Sequence, residues 1–394
     1  MSALTRLALP ALAMAGTAFA ACTVSGTTTI QNSGDATQLA TCTRTFSGSI
    51  AIETGTSGDI SLAGLTNIDG NLVVNNASEL VSLGAPDLES ISGTLELNSV
   101  SKLSGLSFPK LTDLKVLSLI ALPVLQNPTF GPINTAETIH IENTQIQNLD
   151  SIELETVQQM NILNNPYISQ IDMDLSKIDT QLTISGNNPD LEVSFPQLTV
   201  AFNMTYRNCS KVEVPALESL NSSMGLFGNN GLTSFAAPNL TEIGGALSLV
   251  SNVELTNISF PELTEVGANL EIANNTKLHE ISLPKLKSVG SSMDFNGNIS
   301  VVDTPALNDV KGTFNLQSTG DIQETCDNFF QPLKDKKRIQ GKFTCKGQVV
   351  NPGGEGTTPT PTAGGGSNPT GAASALNIDL TSFGLAGLAA AFLL

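Results

Sequence analysis

The chain has 394 residues, and 36 Asp and Glu against 18 Lys and Arg give it a formal charge of −18. Only 14% of residues are charged and 40% are hydrophobic, which excludes charge-driven disorder for most of the chain. An acidic chain with one short basic run cannot line a nucleic-acid groove, and no Trp, two Tyr and two His leave little for aromatic sugar platforms or imidazole chemistry.

Residues 1–20 place Arg6 before an apolar stretch that ends in Ala18-Phe19-Ala20, the form of a secretory signal peptide with the mature chain starting near Ala21. The segment 21–48 is predicted to be an N-terminal cap. Its Cys22 and Cys42, in a secreted chain, read as a local disulfide.

From 49 to 320 a short alternating segment recurs, as in LVVNNA at 72, LELNSV at 95, LTISGN at 182, LSLVSN at 247 and LEIANN at 270, with starts 20 to 23 residues apart. A second marker keeps step: Pro86, Pro109, Pro132, Pro196, Pro215, Pro238, Pro261, Pro284 and Pro305. Proline fixes φ and removes a donor, so it suits the start of a short strand or a turn. A unit of this size cannot bury its apolar face alone, whereas stacked copies can. The period therefore predicts a mainly β, right-handed parallel solenoid, leucine-rich-repeat-like, of 12–13 rungs and on the order of 60 Å long.

Within the frame, Asn165, Asn187, Cys209, Asn229, Asn252, Asn275 and Asn298 fall at one corner position in seven consecutive copies. Buried amides there are expected to bond the backbone of the neighbouring coil. The preceding position is Asn, Ser or Gly in most copies (Asn76, Ser99, Asn164, Gly186), as a turn needing unusual φ demands. Cys209, the odd one of five cysteines, is expected to be a buried ladder thiol.

After the last copy, 321–350 reads as a C-terminal cap, a short helix and strand with a second local disulfide between Cys326 and Cys345. Its basic run, Lys334 to Arg338, is expected to be a solvated face. Residues 351–371 are rich in Pro, Gly and Thr and are expected to be an extended stalk. The chain ends in small residues, a polar spacer and an apolar tail from Phe383 to Leu394, the pattern of a glycosylphosphatidylinositol (GPI) signal. Attachment is expected at Gly371, within a window to Ser374, with 372–394 removed.

The outward column of the long strand reads Ala51, Val73, Glu96, Ser118, His140, Asn161, Thr183, Thr205, Gly225, Ser248, Glu271, Asp294 and Asn315. Glu271 and Asp294 on adjacent rungs are the best acid/base candidates for a polysaccharide-active enzyme, which needs two carboxylates in a cleft. Without a basic or aromatic neighbour, two solvated carboxylates are the favoured reading. No metal-binding spacing and no cofactor motif is present, and His140 alone is not a site. The Asn, Ser and Thr row offers hydrogen bonds to cell-wall glycans or wall proteins, or to a receptor-type protein partner. Sequons at Asn76, Asn203, Asn208, Asn221, Asn239, Asn257 and Asn274 are expected to carry N-glycans, whereas Asn298, placed in the ladder, is expected to stay unmodified despite its sequon.

Signal peptide, flanking cysteine pairs, an FPxLxxV…LxIxxNxxL repeat, a Ser/Thr/Pro/Gly stalk and a GPI tail together resemble the fungal GPI-anchored cell-wall organisation proteins. That family includes sporulation-specific wall proteins and is built on receptor-L-type leucine-rich repeats. The resemblance covers essentially the whole chain. It implies a non-enzymatic role in wall integrity at the plasma membrane or wall and supplies no catalytic residues; a lipid anchor in the outer leaflet and a monomeric chain are expected.

Overall fold

The computed structural model describes residues 22–42 and 44–354; the expected signal peptide, Gly371, the GPI signal and most of the stalk lie outside the described residues. The chain winds into a parallel β solenoid of about 13 turns. One long sheet runs from Thr23–Ile30 to Phe343–Lys346, and every pairing in it is parallel to a neighbouring coil.

The coil that starts at Leu247 explains why this sequence winds. Leu247 and Leu249 of the strand Leu247–Val250, then Leu255, Ile258, Phe260, Leu263 and Val266, all turn inward and are buried. Alternation turns two of the strand's four side chains to the inner face, and a coil with seven inward side chains has nowhere to hide them except against the next. Pro261 sits second in a turn closed by Leu263 N–H donating to Phe260 O. That position favours proline's fixed φ and makes no use of the missing N–H. The same closure recurs at Leu240 to Ala237 and Leu286 to Leu283.

The corner after the long strand needs one residue in the left-handed region. Asn76, Ser99, Ala121, Asn143, Asn164, Asn208, Ser251 and Asn274 have φ between 53° and 59°, and Gly186 and Gly228 have 67° and 61°. One residue on, Asn165, Asn187, Asn229, Asn252 and Asn275 are buried. Each side-chain oxygen accepts from the backbone N–H of the preceding coil's corner, as in Asn229 N to Asn252 Oδ1 at 3.0 Å and Asn252 N to Asn275 Oδ1 at 2.9 Å. Each Nδ2 donates back to a strand carbonyl, Asn252 to Leu226 O and Asn275 to Leu249 O. Cys209 sits buried in the same row, its N–H donating to Asn229 Oδ1 and its thiol to Arg207 O. Asn298 does not join. Gly297 has φ +150° instead of the left-handed value near 57°, so the strand Met293–Gly297 runs on to pair Gly297 with Ser318. This carries Asn298 to the surface, where it accepts from Thr319 Oγ1, and the buried Ser318 hydroxyl takes the Ile299 N–H instead.

Both ends are closed. At the N-terminus the helix Ser33–Leu39, capped by Asn32 accepting from Gly34 and Asp35 N–H, lays Ala36 and Leu39 on the core, and Cys22–Cys42 ties its flanks. The first strand, Thr23–Ile30, pairs with Arg44–Ile52, which runs across residues 48 and 49 from the expected cap into the first coil. At the C-terminus a helical segment from Gln323 to Asp335, tied by Cys326–Cys345, sets Phe330 against Phe314 at 4.6 Å. Lys334, expected in solvent, reaches inward to donate to Ile339 O and Gly341 O, while Lys336, Lys337 and Arg338 are exposed.

Candidate functional site: the outer face of the long sheet

Parallel register places the outward residues in a true column. Ala51 is the direct partner of Val73, Val73 of Glu96, and so on through Ser118, His140, Asn161, Thr183, Thr205, Gly225, Ser248, Glu271 and Asp294 to Asn315. Strand spacing makes neighbours in such a column ~4.8 Å apart, so the column is a ladder of hydrogen-bonding groups along the solenoid axis.

Three stretches of this face differ. In the first half His140 lies 2.9 Å from Glu142 of its own strand, and further on Gln181 donates to Thr183 Oγ1. Near the middle Gly225 creates a gap that the Phe227 ring fills by lying flat along its own strand; a Cβ at 225 would stand 2.1 Å from that ring. The Arg207 guanidinium covers the ring at 4.4 Å from its centroid, a cation–π contact with the next coil. Sequence reasoning passed over this pair because the residues lie 20 apart. The signal available was a glycine in an outward position followed, two residues on, by a large aromatic.

Toward the C-terminal end Glu271 and Asp294 are direct cross-strand partners. Burial first, and the neighbouring Asp294 charge second, push the Glu271 carboxyl above its ordinary value, against a hydrogen bond from Ser248 that favours the charged form. Asp294 Oδ1 accepts from Asn296 Nδ2 at 3.0 Å and Asn315 Nδ2 at 2.8 Å, so this carboxylate belongs to a network of amides. The start of the stalk lies over it. Residues 351–354, expected to begin an extended stalk, fold back so that Gly353 O accepts from Asn315 Nδ2 and Gln317 Nε2. Two side-chain amides aimed at one carbonyl are the physical reason the chain turns here. Asp294, Asn296, Asn315 and Gln317 are buried, as are the outward Asn161, Ser248 and Val250 of earlier coils. Among the described residues no group of three or more His, Cys, Asp or Glu is arranged to hold a metal.

The sequon residues Asn76, Asn221, Asn239, Asn257 and Asn274 are exposed, and Asn203 and Asn208 are half-buried. Asn298 is exposed as well, so burial does not shield its sequon.

Comparison with known proteins places this geometry in a lineage. A family profile described as Ecm33, GPI-anchored cell wall organization protein, matches residues 2–40. The chain is 38% identical to "Protein ecm33" of Aspergillus fumigatus over 361 residues, 90% of this chain and 89% of that one. It is 37% identical to "Cell surface GPI-anchored protein" of Arthroderma benhamiae, covering 89% of each, and 35% identical to "Cell wall protein ecm33" of Schizosaccharomyces pombe, covering 83% and 77%. No solved structure matches the chain. Similarity of this extent, over nearly the full length of both partners, means that the chain belongs to the Ecm33 family of GPI-anchored cell wall organization proteins.

Proposed function

We propose that the chain is a non-enzymatic surface glycoprotein that supports fungal cell-wall organisation by binding glycan or protein along the outer face of its long sheet. It is held at the plasma membrane or in the wall through a GPI anchor at Gly371, and acts as a monomer. The observation that supports binding is the outward column itself, thirteen positions in unbroken register and mostly short polar side chains. Extended concave or flat solenoid faces of this kind recognise long ligands by many weak contacts. N-glycans on the exposed sequons, Asn298 now among them, would decorate the corners and connecting segments and leave the strand column clear.

A glycan-processing reading through Glu271 and Asp294 has less support. Catalysis by a carboxylate pair needs both groups open to a substrate, and here one is engaged by two amides beneath residues 351–354. Deletion of the gene in its fungus, scored as sensitivity to wall-perturbing dyes, tests the proposal. The full chain and a Glu271→Gln/Asp294→Asn variant should both restore resistance. If the double variant reaches the surface in normal amount yet fails to rescue, the non-enzymatic reading falls. A chain ending at Gly354 should fail to rescue; full rescue by it would show that tethering is dispensable.

A further inference from the structure

The C-terminal end of the outer face already holds an occupant, and that occupant is the chain itself. Each of the two amides beneath it serves two acceptors. Asn315 Nδ2 donates to Asp294 Oδ1 at 2.8 Å and to Gly353 O at 2.9 Å. Gln317 Nε2 donates to Asn315 Oδ1 at 2.8 Å and to Gly353 O at 3.0 Å. A primary amide has two N–H bonds, so each side chain spends one inside the network and aims the other at a single point. The internal bonds involve no residue of 351–354, so they set that aim by themselves. Asn315 and Gln317 are 4% and 3% exposed. Two buried donors converging on one point are a preorganised site for an acceptor, and a backbone carbonyl fills it.

The occupant fits as backbone. Gly353 N–H faces Gln317 Oε1 at 3.5 Å, a weaker third contact that makes the recognition two-sided. A Cβ at Gly354 would stand 3.3 Å from Asp294 Oδ2 and 3.7 Å from Asn296 Nδ2. The segment therefore lies directly on the side chains below, and a branched residue at 354 would press on them. It brings no large apolar group: Asn351 is exposed, and Pro352, Gly353 and Gly354 are half-buried. Polar contacts hold it, and a few hydrogen bonds of ordinary strength favour the closed state about tenfold to a hundredfold. A contact of that strength stays shut unaided and yields to a partner offering the same groups.

We propose that residues 351–354 are an autoinhibitory strap on a peptide-binding site: they occupy in cis the end of the outer face, where a glycine-containing segment of a partner protein binds once the strap is displaced. This rests on the reading of the outer face as a binding surface and assigns protein as the ligand class at this end. Saturation-transfer NMR on the chain secreted through residue 371 tests it, with the peptide Asn-Pro-Gly-Gly-Glu-Gly, the sequence of 351–356, as probe. Wild type should show little transfer. Gly354→Val, and separately a chain ending at Val350, should open the site and give transfer to the peptide's glycine protons. Closure of tenfold or more against the millimolar effective concentration of a short tether puts Kd for the open forms at about 1 mM or below. Gln317→Leu in the chain ending at Val350 should raise that Kd about tenfold, the loss of one good hydrogen bond. Closure is read separately from the side-chain amide signals of Asn315 and Gln317, which should differ between wild type and both open forms. Amide signals that do not move, transfer equal in wild type and open forms, or no transfer in either open form would overturn the proposal. So would open forms that take a glucose oligosaccharide in place of the peptide, which would make this end a glycan site. None of these readouts uses wall resistance, so failure here and failure of the wall-organisation reading are separately visible.

Discussion

Coils in the first part of the solenoid and coils in its middle close the same corner by different chemistry. After the long strand the first part puts Ala77, Val100 and Leu122 into the core, fully buried and apolar. The middle puts amides there, from Asn165 through Asn275. Thr144 is the handover, its N–H and hydroxyl both donating to Asn165 Oδ1. Apolar corners contribute by area and tolerate imprecise geometry, whereas an amide corner works only when donor and acceptor of consecutive coils are in step. The difference teaches that the turn is set by the left-handed residue, common to both halves, and that the residue after it sets how strongly one coil depends on the next.

Asn252→Ala breaks that dependence most severely. It leaves Asn229 N and Nδ2 without their acceptor and Leu226 O without its donor, all buried. At ~1–3 kcal/mol for each unsatisfied group the loss should be on the order of 4 kcal/mol. Val100→Ala, the matched change in the apolar part, should cost about 2 kcal/mol as a cavity. Hydrogen exchange read by mass spectrometry checks the contrast, because array proteins need not unfold in one step. Protection should fall across coils on both sides of Asn252, but only around position 100 in the control. Equal spread in both variants would remove the distinction between the halves.

The caps come next. Cys22–Cys42 and Cys326–Cys345 close loops of similar length, with sequence separations of 20 and 19. In the chain-entropy model each contributes ~3 kcal/mol. Cys326→Ser with Cys345→Ser should fray the cap and last coil first, exposing Phe314, seen as increased exchange confined to residues after about 293. Removing the N-terminal pair should fray the apolar coils and leave the ladder protected.

How far these features are legible in the sequence depends on whether they repeat. The period, the corner row and the cysteine pairs are written many times or flanked by clear signals, so register and core follow from alternation and turn chemistry alone. Asn298 departs from its column for the same reason: its column letter is right, but a glycine at 297 has access to φ +150°, and the next coil offers Ser318 in place of an amide. No periodic pattern reports such a one-residue slip. The fold-back of 351–354, the inward reach of Lys334 and the Arg207–Phe227 stack are single contacts between distant residues. They depend on three-dimensional neighbours that a frame alone does not specify.

Cys209 is the one break inside the amide row. It offers no oxygen to the corner N–H of Asn187 and no N–H donor to Ile184 O, the groups an asparagine would serve by analogy with its neighbours. Cys209→Asn should therefore stabilise by ~1 kcal/mol at neutral pH. Burial pushes the thiol up from 9.0 to about 12, with a smaller opposing effect from hydrogen bonding with the Arg207 backbone. A group whose folded pKa is raised contributes stability that is full below the unfolded value and is lost as pH climbs toward the folded one. Wild-type stability should thus decline between pH 9 and about 12, and the advantage of Cys209→Asn should widen over that window. Urea melts at pH 7.5 and 10 measure both parts; a constant difference would mean the thiol titrates alike folded and unfolded.

The smallest effect tests what the two halves share. Ala121 is the single alanine in the left-handed corner row, at φ 53°, in a column otherwise occupied by Asn, Ser or Gly. A β carbon there crowds the following carbonyl at a cost of ~1–2 kcal/mol. Glycine removes the crowding but loses more entropy on folding, ~0.5–1 kcal/mol. Ala121→Gly should therefore gain about 0.5 kcal/mol, and Ala121→Asn a similar amount, since a short amide tolerates this region while keeping a side chain. The control is Ala77→Gly one residue past the corner, a buried position outside the left-handed row, where the same change should destabilise. Opposite signs in the two melting temperatures, from identical chemistry at adjacent places in the frame, are the expected result. Matching signs would mean that backbone strain is not what selects the residues of this row.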